Sequence, residues 1–294
     1  MSHAAWKLIV LPCLDSEEMA HARKRELNLR REVATELGRT AVEAAKTGSY
    51  VNAHGETVDW SALVSHACSA KVSIAPEAPL PAPTNEPCPE TRIQVTNETT
   101  LQAARRLIEQ GRKPLALNFA NGVNPGGGFL HGARAQEEAL CRSSALFLTL
   151  VDDQMYDHHR DRPQPDSTSW SILSPDVPIF RDEDGTVLSE PWTLSFVTCA
   201  APYAPTIGQP QSGDLLRQRI HRVFAIANAY GYRDLVLGAW GCGAFYNDPQ
   251  RTARDFRDIL ETEFAGTFAD IVFAVTDWSA ERKTLGPFRD QFEM

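Results

Sequence analysis

The spacing of apolar residues changes character near residue 90. Before it, the stretch 16–47 sets apolar positions among Glu, Arg and Lys at helical intervals, which predicts one or two amphipathic helices stopped at Gly48. SYVNAHGETVDW (49–60) has short alternating runs on either side of His54-Gly55, a hairpin pattern, and 61–69 follows as a short helix. Six prolines then fall within the sixteen residues 75–90, a density that excludes helix and central strand and predicts a stiff, extended connection. This connection divides the chain into an N-terminal accessory region, 1–90, and a second domain, 91–294.

Beyond the connection, strands and helices alternate. RIQVT (92–96) reads as a strand, residues 97–100 offer helix caps, 101–110 forms a helix ended by Gly111, and PLALNF (114–119) is a nearly all-apolar buried strand. TLSFVTCA (193–200) is another buried strand, and Leu216, Ile220, Val223, Ala227 and Tyr230 mark one face of a helix closed by Gly231. Leu235–Trp240 is a strand, Asp248 caps a helix opened by Pro249, and Ile271–Val275 is the last strand. Two strand–helix–strand crossovers predict an α/β fold with a largely parallel sheet, in which ligands bind beyond the carboxyl ends of the strands.

Composition narrows the choice of partners. With 294 residues and 43% apolar content the chain can bury a core, and its net charge of −9 argues against general binding to nucleic acid or to an anionic membrane. The six cysteines contain no Cys-x-x-Cys pair, so neither a disulfide framework nor a zinc ribbon is indicated. The one apolar run near the start, Leu8–Leu14, is broken by Pro12, and neither a signal peptide nor a spanning segment is expected. An intracellular, cytoplasmic location follows as the expectation, or a nuclear one in a eukaryotic cell.

Three segments carry candidate chemistry. The strand 114–119 runs into Asn121-Gly122-Val123-Asn124-Pro125-Gly126-Gly127-Gly128, where glycines allow close backbone approach and suggest an anion or ribose cradle. No Gly-Lys-Ser/Thr follows and the spacing is not Gly-x-Gly-x-x-Gly, so nucleoside triphosphate hydrolysis is disfavoured. If a helix begins near Ala135, Glu137, Leu140, Ser144, Phe147 and Val151 share one stripe, with Glu138 turned about 100° away. Two carboxylates at a helix start also serve the helix dipole, so only the preceding loop favours a functional reading. A second loop, Gly241-Cys242-Gly243-Ala244-Phe245, joins a strand to a helix in the manner of backbone phosphate sites. Asp248 would repel an anion at the helix terminus, which places a phosphate further back over 241–245. Adjacent His158 and His159, read on a loop, lack ligand spacing, so no metal is expected. Thr276, at the end of the last strand, is placed by strand polarity at the crevice.

Gly126-Gly127-Gly128, seven residues, then Gln136-Glu137-Glu138 resembles the signature of the microbial-type poly(ADP-ribose) glycohydrolases, whose catalytic domain is a macrodomain. AWGCGAFYND (239–248), SPDVPIFRDEDG (174–185), VTCAAPYAP (197–205) and GSYVNAHGETVDW (48–60) are similar to further segments of the bacterial and fungal branch. The resemblance implies hydrolysis of ribose–ribose bonds in poly(ADP-ribose), with Glu138 as catalytic acid/base and Glu137 as its ribose-binding neighbour. It implies that Gly126–Gly128 approach the diphosphate and distal ribose, that Gly241–Phe245 wrap the diphosphate, and that Phe245 packs on the ADP-ribose unit. Asn121 matches a ribose-contacting asparagine. Asn118 stands where animal-type members carry an aspartate supporting the glutamates, so its amide is expected to support the catalytic carboxylate. Gln136 completes the signature among the substrate-binding residues.

In the implied reaction Glu138 protonates the departing 2′-oxygen and then activates water for attack on C1″. The helix dipole lowers its pKa, whereas Glu137 and the substrate diphosphate raise it, and the like charges are expected to dominate once substrate excludes water. No cofactor is implied. The expected partners are poly(ADP-ribose), ADP-ribosylated proteins and the product ADP-ribose, acted on by a monomer that binds neither membrane nor nucleic acid directly. A mono-ADP-ribosyl hydrolase and a non-hydrolytic ADP-ribose reader stand as alternatives, and the second glutamate favours catalysis over reading.

Overall fold

The computed structural model describes residues 6–293. Its strands are β1 (Lys7–Val10), β2 (Ser49–Val51), β3 (Thr57–Asp59), β4 (Val72–Ile74), β5 (Glu90–Thr96), β6 (Pro114–Ala120), β7 (Ser171–Arg181), β8 (Val187–Ala200), β9 (Asp234–Leu237) and β10 (Asp270–Ala274). The chain divides into two compact units. One comprises the chain up to Arg23, Glu77–Leu117 and the chain from Ala201, and the other comprises Lys24–Pro76 and Asn118–Ala200.

The first unit is built on a parallel ladder. β1, β5, β10, β9 and β6 lie side by side in that order, each pair parallel, with Ile93 opposite Ile271 and Leu115 opposite Leu235. The inner strands β6, β9 and β10 are buried on both faces, as a parallel sheet requires, whereas β5 alternates and the edge strand β1 has no buried residue. The helix Thr100–Glu109 links β5 to β6 and starts in a capping box, Thr99 with Gln102. Pro249–Thr262 links β9 to β10, and the Asp248 carboxylate accepts from the Gln250 N–H at its start. Under these helices Phe224, Phe256, Phe268, Phe273 and Phe288 are fully buried and meet edge-on or tilted, with Phe256 and Phe273 centroids 5.3 Å apart. Each such ring contributes roughly 2–3 kcal/mol of burial, which makes this cluster the anchor of the unit.

The second unit is antiparallel. β7 pairs with β8 as a long hairpin, β4 adds to β7, and β2 with β3 forms the separate small hairpin expected around His54-Gly55. The expected N-terminal helical stretch resolves into Glu17–Leu27, which begins before this unit, and Arg31–Thr47, the latter ended by Gly48 in the left-handed region at φ 74°. Trp60 is buried against Tyr50 and Phe180 and donates its indole N–H to the Ala44 carbonyl at 3.0 Å, which ties hairpin and helix to β7.

Together the strands give the mixed, largely parallel α/β fold. Two local expectations are corrected. The stripe drawn from Glu137 to Val151 is not one helix: Gln136–Ser143 ends at Ser144, whose extended backbone bridges to Ile179 and whose hydroxyl accepts from the Leu146 N–H to start a new turn. His158 and His159 lie on a helix, Gln154–Arg160, because the Asp153 carboxylate caps it through the Met155 N–H. Among the described residues no helix is long and apolar enough to cross a membrane.

Candidate functional site

Local chemistry fixes where the two glutamates point. The Gln136 side chain turns back to accept the Phe119 N–H at 2.9 Å, which locks the helix start onto the end of β6 and leaves the next two residues facing the glycine turn. Both carboxylates are buried, Glu137 at 3% and Glu138 at 8% exposure. Glu137 accepts from the Asn121 N–H at 2.7 Å, from the Asn118 amide at 3.4 Å and from the Gly126 N–H. Glu138 accepts from the Gly128 N–H at 3.0 Å through Oε1, while its Oε2 is buried without a partner.

These bonds correct the reading of the first loop. Gly126 and Gly128 give their N–H groups to Glu137 and Glu138, and the Gly127 N–H goes to the Asn124 carbonyl at 2.9 Å. The triple glycine is therefore not an open anion cradle. Its shape serves the carboxylates instead: Gly127 has φ 59°, and a Cβ there would overlap Glu138 Oε1 and come within 3.0 Å of Glu137 Oε2. At Gly126, φ 72°, a Cβ would meet the Phe129 ring at 2.9 Å.

Asn118 is fully buried and donates to Glu137 and to the Thr198 hydroxyl at 3.1 Å, so its amide supports Glu137 and not Glu138. Its Oδ1 is buried and unpartnered, a second orphaned acceptor beside Glu138 Oε2. The Asn121 side-chain oxygen Oδ1 accepts from the Val123 and Asn124 N–H groups at 2.9 Å, fixing the turn.

Burial, before any other influence, pushes the Glu137 carboxyl up to about 8; the nearby Glu138 adds to the rise, and the Asn121, Asn118 and Gly126 donors oppose it. The strong rise in the ligand-free protein therefore falls on Glu137. Behind the pair, Arg142 is 1% exposed, donates to the Ala133 carbonyl at 2.7 Å, and has its pKa lowered by burial against an opposing pull from Glu138. Cys141, beneath Gly126, is held far above its ordinary pKa, first by burial, and is no nucleophile.

Sequence reasoning missed His159. Its Nε2 accepts the Thr168 N–H at 3.1 Å, which requires the proton on Nδ1, facing the Gly122 carbonyl at 3.0 Å. With Arg160 donating to the Val123 carbonyl at 2.5 Å, the Gln154–Arg160 helix pins the turn that carries Asn121. The only sequence signal was the adjacent-histidine pair, and the metal question it raised concealed a hydrogen-bonding role.

Asn118, Asn121, Gly126, Gly127, Gly128, Gln136, Glu137 and Glu138 are thus assembled within the second unit. Gly241, Cys242, Gly243, Ala244, Phe245 and Thr276 belong to the first. There Gly241 has φ 76°, and a Cβ would come within 2.8 Å of both Ala201 and Asn247. Asn247, also missed, holds the loop: it donates to the Pro202 carbonyl at 2.9 Å and to the Gly241 carbonyl at 3.3 Å, and accepts from the Ser212 hydroxyl. The N–H groups of Gly243, Ala244 and Phe245 have no acceptor among the described residues, and Gly243 and Ala244 are exposed. Phe245 stands edge-on to Tyr203, with centroids 5.9 Å apart. Burial pushes the Cys242 thiol up to about 12, so this cysteine contributes shape and no reactivity. Thr276 is half-buried two residues past β10. Among the described residues no cluster of three His, Cys, Asp or Glu side chains could hold a metal ion.

A family model described as the microbial-type PARG catalytic domain matches residues 38–182. The crystal structure of poly(ADP-ribose) glycohydrolase from Thermomonospora curvata is similar with a TM-score of 0.83 and 39% identity, covering 88% of this chain and 99% of that one. The same enzyme bound to the inhibitor ADP-HPD gives 0.81 and 38%, with coverage of 88% and 99%. Poly(ADP-ribose) glycohydrolase from Deinococcus radiodurans in complex with ADP-ribose gives 0.66 and 46%, covering 69% of this chain and 84% of that one. No curated protein sequence matches the chain.

Proposed function

Since the chain belongs to the microbial-type poly(ADP-ribose) glycohydrolase family, we propose that it hydrolyses the ribose–ribose bonds of poly(ADP-ribose) to ADP-ribose with Glu138 as general acid and base. The observation that carries this reading is the asymmetry of the carboxylate pair. Glu137 is held by three donors, whereas Glu138 keeps one oxygen bonded to Gly128 and the other, Oε2, without a partner. A buried acceptor in this state is ready to bond a reacting hydroxyl or a water.

The step balances as follows. The C1″–O2′ bond breaks, the departing 2′-oxygen takes a proton from Glu138, and charge develops on an oxocarbenium-like sugar. Water then adds to C1″ and returns a proton to Glu138. Burial keeps the neighbouring Glu137 protonated below about pH 8, and that proton is separate from the one Glu138 gives up and takes back. With that neighbour neutral, Glu138 can cycle without two adjacent negative charges. Glu137 and Asn121 are proposed to hold the distal ribose, and Gly126–Gly128 and Gln136 to set the carboxylates against it. The free N–H groups at 243–245, with Gly241, Cys242 and Phe245, are proposed to receive the diphosphate, and Thr276 the adenine end. Residues 1–90 are proposed as an accessory region to a catalytic part, 91–294, and the enzyme is proposed to act as a monomer.

The test is release of free ADP-ribose from poly(ADP-ribose) and from mono-ADP-ribosylated protein. Release from polymer that falls by about 10²–10⁴-fold in Glu138→Gln is expected for loss of an acid/base group. Tight polymer binding without release would overturn the reading in favour of a binding module.

A further inference from the structure

Beside Glu138 lies a cleft that the reaction as described does not use. It has a volume of about 430 Å³ and is lined by Arg31, Gly128, His131, Gly132, Ala133 and Arg134, all within the second unit. Gly128 belongs to both places: its N–H holds Glu138 Oε1 at 3.0 Å, and the same residue forms the edge of the cleft.

The two arginines are bound by carbonyl and amide oxygens and by no carboxylate. Arg31 donates through Nε to the His131 carbonyl at 2.9 Å, and its terminal nitrogens have no partner among the described residues. Arg134 donates through Nη1 to the Asn28 side chain at 2.9 Å and to the Leu29 carbonyl at 2.6 Å, which leaves Nε and Nη2 without one. Elsewhere on this chain, of net charge −9, Arg39, Arg92, Arg106, Arg160 and Arg251 each pair with an acidic side chain. Two oriented and unneutralised guanidinium groups at one cleft make a local anion site, because anchoring by one nitrogen preserves the fork of the others for a phosphate. The wall is built for this closeness. Gly132 has φ 78°, and a Cβ there would lie within 2.8 Å of Thr35 Oγ1 and nearer still to the Arg31 backbone, so only glycine lets the Arg31–Thr47 helix deliver Arg31 to the cleft.

We infer that this cleft, which shares Gly128 with the Glu138 site, binds the diphosphate of the polymer unit that leaves. The inference rests on the glycohydrolase reading above. The oxygen that accepts the Glu138 proton is the 2′-oxygen of an adenosine ribose, and that ribose carries its own 5′-diphosphate only a ring and one methylene away. A polyanion with no cation near its leaving unit would be repelled by a chain of net charge −9. Arg31 and Arg134 offset this repulsion where the bond breaks, and they select a phosphate-bearing leaving group over a neutral one.

The experiment compares two substrates: a two-unit ADP-ribose oligomer and an ADP-ribose carrying a small uncharged aryl group at C1″. Each is assayed with wild type, Arg31→Gln, Arg134→Gln and the double variant. Glutamine keeps a donor for the anchoring oxygens and removes the charge, and the single variants serve if the double one fails to fold. The ratio of kcat/KM for oligomer over aryl substrate is expected to fall about ten-fold in the double variant and about three-fold in each single one, the scale of charge-assisted hydrogen bonds at a partly open site. Oligomer hydrolysis should also lose part of its salt sensitivity. An unchanged ratio in folded variants would overturn the subsite while leaving the glycohydrolase reading intact. Wild type that releases ADP-ribose from neither substrate would overturn that reading itself.

Discussion

The two glycine loops look alike in sequence and do opposite things with their backbone. At 126–128 the N–H groups are all taken within the protein, two of them by Glu137 and Glu138, and the glycines are needed because carboxylates pack where a Cβ would stand. At 243–245 the N–H groups have no acceptor among the described residues, and a Cβ on Gly243 would meet nothing within 4 Å. One loop is a holder of catalytic side chains, the other an open set of donors. Glycine content alone therefore does not identify a ligand cradle; the destination of each N–H does.

The largest effect that would break this contrast is expected from Gly127→Ala. A left-handed backbone and an overlap with Glu138 Oε1 predict loss of about 2 kcal/mol of stability. Displacing Glu138 should also lower kcat by about 10²-fold. Chemical denaturation and ADP-ribose release measure the two, and a variant with unaltered kcat would show that the carboxylates do not depend on this glycine.

A smaller effect concerns the proton on Glu137. Its carboxyl is raised from 4.5 to about 8 in the folded protein, so the folded state binds more protons than the unfolded chain between those values. The stability it contributes is complete below about 4.5 and is lost as pH rises through about 8. Thermal unfolding of the ligand-free protein should therefore show a Tm that falls over this window through Glu137. Glu137→Gln should flatten that component, and identical profiles for the two proteins would contradict burial as the cause.

The smallest effect is expected from Gly243→Ala, within about 0.5 kcal/mol of wild-type stability because the added methyl has room. Equilibrium unfolding would check this, with KM for the polymer read alongside. A rise in KM without loss of stability would sharpen the contrast, placing substrate itself against that open backbone.

What the sequence makes legible follows from how locally each feature is determined. β6, β9 and β10 are apolar runs and β5 alternates, so a strand is found where each is expected, although the one expected at 235–240 ends at Leu237. β7 is harder: Pro175 and Pro178 argue against a strand, and it forms because its register shifts between Ser174 and Val177, with Asp176 at φ 49°. The break after Ser143 was equally hidden, since the apolar spacing continues through it and the cause is a bridge from Ser144 to distant Ile179. At the site, the glutamate pair and both loops could be read from residue types and spacing. The assignment of Asn118 to Glu137, the Gly128 bond to Glu138, and the parts played by His159 and Asn247 depend on contacts between distant segments. No local pattern encodes them.

The saturated N–H groups of the 126–128 turn have one more consequence, in the time course of a turnover. Because Glu137 and Glu138 are already tethered to backbone donors, arrival of a substrate has no loop to order and no carboxylate to recruit. The arrangement is preorganised by folding, so the barrier to reaction does not include its assembly. Control of such an enzyme would act on who reaches the site, since the turn has no idle state from which to be awakened.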